Sequence, residues 1–127
     1  LALHIARLPE GVVRGAQQNP AQAPDFGAIP EPSSVQEILD AFEQSTVTVR
    51  SVLLQFNDDN MRETWRLMRG DQELLAIPRA QFLREIMLNH WYHHRGQLLV
   101  YLRLLNHPVP SVYGPTADEN PFAAALA

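Results

Sequence analysis

His90 and His94 stand four residues apart in the run His90-Trp91-Tyr92-His93-His94-Arg95-Gly96-Gln97-Leu98. On a helix that spacing falls about 40° from a full turn, so the two imidazoles lie one above the other and can reach a single ion. Neutral imidazole binds zinc, nickel, copper and iron, and its burial is tolerated where a metal or a hydrogen bond satisfies its nitrogens. Leu83, Ile86, Met87, Leu98, Tyr101 and Leu105 continue the same stripe in steps of three and four, which points both rings inward. A catalytic type of metal site asks for a third ligand and one open position. His4 is the candidate, on a stripe with Leu1, Ile5, Leu8 and Val12. His93 lies about 60° around the helix from His90. A ligand role for it stays open, although His94 follows the stripe better. His107 comes after the helix, beside Pro108, where solvation is expected. Against this stands the ordinary alternative: a His-x-x-x-His pair arises by chance in a chain with five histidines, and His4 taken alone is more often a hydrogen-bonded core residue than a ligand.

The elements that must carry these residues follow from periodicity and punctuation. An amphipathic helix runs from the first residue to about Gln17, with Pro9 expected to kink or restart it. Pro20, Pro24, Pro30 and Pro32, with Gly27, make Asn19 to Pro32 a semi-rigid connection. Ser34-Val35-Gln36-Glu37 has the form of a capping box. The helix that follows would bury Val35, Ile38, Leu39, Phe42, Val49, Val52, Leu53 and Phe56 and close at Asn57-Asp58-Asp59-Asn60. Glu63 to Met68 and Gln72 to Ile77 read as strands of a β-hairpin about Arg69-Gly70-Asp71, with a helical reading of Leu74-Leu75 as the alternative. Arg79 to Asn106 is strongly helical and is stopped by Asn106, Pro108 and Pro110. The tail from Ser111 is expected to be irregular, with a helical turn at Ala123 to Ala127. Trp91 points to a flank, where packing or a subunit contact would use it, and Trp65 on the hairpin is equally ambiguous.

A length of 127 residues is that of one domain, spanning the whole chain. The net charge is −4 and no basic cluster occurs, which argues against nucleic acid and anionic membranes as partners. Without cysteine, disulfides, thiolate ligands and a protein-borne thiol nucleophile are excluded. No membrane span or signal peptide is visible, so a cytoplasmic protein is the expectation. Because the chain opens inside a helix, a preceding N-terminal segment is expected to be missing. Three helices sharing a core with one side open would become an up-and-down four-helix bundle once that segment is supplied. The open side predicts a homodimer.

His90 to Leu98, then Val100-Tyr101-Leu102-Arg103-Leu104-Leu105, then Pro108 to Glu119 resemble the C-terminal signature of the DinB/YfiT-like metalloproteins, a family unrelated to the DNA polymerase that shares the name. Leu1-Ala2-Leu3-His4-Ile5-Ala6 resembles the start of that family's second helix. The resemblance implies an all-α, four-helix bundle, here without its first helix, and a homodimer. It implies a three-histidine site built from His4, His90 and His94, holding zinc or nickel with water. Some relatives look like thiol-dependent transferases or isomerases that use a low-molecular-weight thiol.

Three neutral imidazoles leave the full charge of a divalent ion in place, which favours deprotonation of a fourth ligand, water or thiol. The same site would thus serve thiol transfer or hydrolysis of a small-molecule substrate. A non-catalytic, stress-associated module stabilised by its metal is the third reading. Asn89, Gln97, Asp118 and Glu119 are candidates to orient the ligands. Glu119 or Asp118 would be the base or substrate contact, and their alternative is a solvated loop terminus. Arg95 and Arg103 are expected to snorkel from the helix surface.

Overall fold

A computed structural model of the chain describes residues 1–25, 27 and 30–123. The expected final helical turn at 123–127 lies outside the described residues beyond Ala123. The elements are α1 (Ala2–Gln17), β1 (Ala21–Gln22), α2 (Val35–Leu53), the single turn α3 (Asp58–Arg62), β2 (Thr64–Arg69), β3 (Gln72–Pro78), α4 (Arg79–Phe82), a π-helical segment (Leu83–Asn89) and α5 (His90–Leu104). Two compact units form, residues 1–94 and the residues from Arg95 onward.

The fold is not the all-α bundle expected from the sequence. The hairpin of β2 and β3 forms, with Gly70 at φ +58° in its turn, but a third strand joins it. Ala21 and Gln22 pair in parallel with Leu67 and Met68, giving a mixed sheet in the order β1-β2-β3. The Asn19 side chain extends this ladder, donating to the Thr64 carbonyl at 2.9 Å and accepting from the Arg66 N–H at 3.0 Å. Two residues between prolines carry no strand periodicity. Their pairing is a backbone event that depends on where α1 ends.

Ser34 caps α2 by accepting the Glu37 N–H at 3.1 Å. The return half of the expected box is displaced by one residue, since the Glu37 carboxylate takes the N–H and hydroxyl of Ser33. Asn57 to Asn60 does not merely close α2. Asn57 and Asn60 form a reciprocal capping box that starts α3. The core of the first unit joins Val13, Ala16, Ala21, Val52, Trp65, Phe82, Leu83 and Met87. Trp65 is 1% exposed and stacks on Phe82 with ring centroids 3.7 Å apart. Its indole donates to the Gly15 and Gln18 carbonyls at 3.1 and 2.8 Å, and Arg79 Nε donates to the Ala16 carbonyl at 2.9 Å. Carbonyls at the C-terminus of α1 are therefore bonded from the sheet and from α4, in the case of Gly15 in addition to the Gln18 N–H.

The expected apolar faces are only partly buried. On α2 and just after it, Val52 is in the core and Val49, Leu53 and Phe56 pack against it, whereas Val35, Leu39 and Phe42 are exposed. In the second unit Tyr101 and Leu105 are exposed as well, and α5 contains no buried residue. Arg103 pairs with Asp118 there instead of standing free on the surface.

Candidate metal centre

His4 comes from the first turn of α1 and His90 and His94 from the first turns of α5. The π segment sets the rotation of the latter pair. Each of its backbone bonds encloses one more residue than an α-helical bond, so the stripe read from the sequence divides. Leu83 and Met87 go to the core, Ile86 is exposed, and His90 turns toward α1. The ring centroids of His4 lie 5.6 Å from His90 and 4.7 Å from His94, and those of His90 and His94 are 4.5 Å apart. One nitrogen from each ring lies within 4.8 Å of the other two, which makes these three the group among the described residues that could hold an ion. His93, whose ring centroid is 5.1 Å from that of His94, is exposed, as is His107.

The donor set fits a divalent transition ion. Three imidazoles suit zinc, nickel, copper or iron. Ligand nitrogens at about 2.0–2.1 Å from a tetrahedral ion stand about 3.3 Å from each other. The Nε2 atoms of His90 and His94 are 2.7 Å apart, a hydrogen-bond distance, so the rings must part by about half an ångström to share an ion. Side-chain rotation supplies that much. Burial first, and then the charges of the neighbouring imidazoles, hold the His4 and His90 rings below the ordinary histidine range. Both therefore present the neutral form that a metal requires. A hydrogen bond from the His90 ring to the backbone of Ile86 acts in the opposite direction. It supplies the orienting contact for which the sequence offered only polar side chains.

Pro9 explains how the two helices meet here. Proline has no N–H, so the carbonyl four residues before it, that of Ile5, loses its helical partner. The indole of Trp91 donates to that carbonyl at 3.0 Å. The next N–H along α1, that of Glu10, goes to the buried Ser45 hydroxyl of α2 at 3.0 Å. Ile5 adjoins His4 and Trp91 adjoins His90, so this bond holds α1 to α5 within one residue of the imidazoles. Trp91 also stacks on Phe42, with centroids 6.4 Å apart and planes 7° from parallel. The sequence showed Pro9 and Trp91 separately, and only the proline's offset of four pointed to the link.

Asp118 and Glu119 close the tail within the second unit. Asp118 accepts from Arg103 and from the Val109 N–H at 3.0 Å, and these bonds, the Arg103 one first, hold its carboxyl below the usual range. The Glu119 carboxylate accepts the Ser111 N–H.

A helical frame braced by a small sheet, with three converging imidazoles, defines a protein built around a three-histidine centre compatible with a metal ion. The chain belongs to the DinB family, whose model matches residues 17–121. That segment includes His90 and His94, and His4 precedes it. The chain is 33% identical over 100 residues to the uncharacterized protein YrdA of Bacillus subtilis (strain 168), a match covering 78% of this chain and 54% of YrdA. The chain thus spans about half the length of that relative. No solved structure matches it. No helix among the described residues is long and apolar enough to cross a membrane.

Proposed function

We propose that this is a divalent-metal enzyme, with His4, His90 and His94 as ligands to zinc or nickel and a small cytoplasmic molecule as substrate. The observation that carries the reading is the convergence of three ring nitrogens within 4.8 Å. When bound, the ion would lower the pKa of a water or thiol in its open position, which suits transfer to or from a low-molecular-weight thiol first and hydrolysis second. The chain supplies no thiol of its own. Its part is to keep two of the rings neutral by burial and to fix them through Ile86 and Trp91. Proton transfer by Asp118 or Glu119 would require release from Arg103 and from the Val109 and Ser111 N–H groups that hold them.

Elemental analysis after loading with zinc or nickel should find about one ion per chain. His90→Ala and His94→Ala are each expected to lower affinity at least about tenfold. Metal content unaffected by either change would overturn the assignment. Cobalt-substituted protein should change its absorption when 2-mercaptoethanol is added. An unchanged spectrum would favour a module that the metal only stabilises. The 2.7 Å contact between His90 and His94 supports a second reading, a hydrogen-bonded histidine pair in a metal-free polar core. Failure of every divalent ion to bind would select it.

A further inference from the structure

The three imidazoles stand between two unlike spaces. On one side His4 and His94 share an opening of about 420 Å³ with Leu1, Leu3, Pro30, Pro32 and Glu31, largely apolar but carrying the Glu31 carboxylate. On the other, His4 and His90 form part of the wall of a cavity of about 230 Å³. Leu8, Val12, Trp65, Leu67, Phe82 and Ile86 make most of that second wall, and among the described residues Gln22 is the one polar side chain in it besides the two imidazoles and the Trp65 indole. The Trp65 N–H is already committed to the carbonyls of Gly15 and Gln18.

The pocket opens to solvent past Gly11, Gln22, Pro24 and Ile86, so its apolar lining meets water, and covering that lining with an apolar group is favourable. Two glycines keep it open. Gly11 and Gly15 both border the cavity from the interior of α1, where glycine is a poorer helix former than alanine. A Cβ added at either position would meet nothing within 4 Å, so neither close packing nor backbone strain accounts for them. What a side chain at Gly15 would do is occupy the cavity.

We propose that this cavity is a binding subsite for an uncharged aromatic or branched aliphatic group of the substrate, with the substrate's polar end at His4 and His90. The role of that polar end rests on the metal-centre reading; the subsite itself does not. An apolar cavity of about 150 Å³ accommodates benzene. The space here accepts a ring with one or two substituents. A charged tail would be stripped of water against this wall with no partner to replace it. Water or a polar second reactant reaches the imidazoles from the Glu31 side.

The test is a ¹⁹F NMR titration of fluorobenzene into the 127-residue protein after chelation of metals, repeated on Gly15→Leu and Gly15→Ala. Saturable binding is expected in the unsubstituted protein. It should weaken slightly in Gly15→Ala and at least about tenfold in Gly15→Leu, with no fall in melting temperature for Gly15→Ala. On zinc-loaded protein, benzohydroxamate should bind at least about tenfold more tightly than acetohydroxamate, and Gly15→Leu should abolish that difference. Absence of saturable fluorobenzene binding, or equal binding by all three proteins, would overturn the subsite. Fluorobenzene binding in a protein that takes up no divalent ion, zinc and nickel included, would uphold the subsite and overturn the metal centre.

Discussion

Burial, more than mutual repulsion, keeps His4 and His90 neutral, and that has a cost in acid. The folded rings take up protons less readily than the same rings in the unfolded chain, whose ordinary value is 6.5. Below that pH the unfolded state binds more protons, so the metal-free fold loses stability as pH falls, until the folded rings protonate as well. Above it their contribution is fully present. Urea denaturation with chelator at about pH 8, 6.5 and 5 should show this decline, and a His4→Gln, His90→Gln double variant should flatten it. An equally steep decline in the double variant would assign the effect to other groups. The three rings were legible in the sequence because a step of four residues and a stripe of apolar neighbours are both local patterns. The Ile86 contact was not, because a backbone carbonyl leaves no trace in residue type.

Arg79 joins more elements than any other side chain described above. It is 5% exposed, reaches Ala16 at the end of α1, Asn60 and Glu63 around α3, and lies over the Phe56 ring at 5.2 Å. Its charge also stands at the negative end of the α1 dipole. Arg79→Ala should destabilise the fold by about 2–4 kcal/mol, measured by the urea midpoint at unchanged m-value. A loss under about 1 kcal/mol would mean that water replaces the guanidinium at those carbonyls. Helices, caps and the hairpin were readable from the sequence, since each is specified by neighbours within a few residues. The strand at Ala21–Gln22 was hidden because two residues cannot show a period. The π segment was hidden because an extra residue per turn looks, in sequence, like an imperfect stripe.

At the scale of the molecule, apolar side chains remain exposed where the sequence placed a buried face. Val35, Leu39 and Phe42 do so on α2, and Ile86, Tyr101 and Leu105 along the stripe of the last helix, with Val100 and Leu104 exposed beside them. We retain the homodimer as a proposal on this ground, since surfaces of this kind usually meet a partner. Sedimentation equilibrium should give twice the 14.3 kDa of one chain, and a monomer at micromolar concentration would contradict it. The mixed fold class is hidden at this scale because helical periodicity dominates the sequence while the sheet that braces the helices is short. The bond between Trp91 and Ile5 bears on how those helices find their alignment. Along a regular helix every interior carbonyl is spoken for, so a neighbouring indole has no reason to prefer one turn to the next. Pro9 withdraws a single hydrogen and so leaves one address vacant, beside His4. A slip of α5 by a turn in either direction would leave the indole without its acceptor, and the missing proton of a proline thus becomes the information that sets the histidines in register.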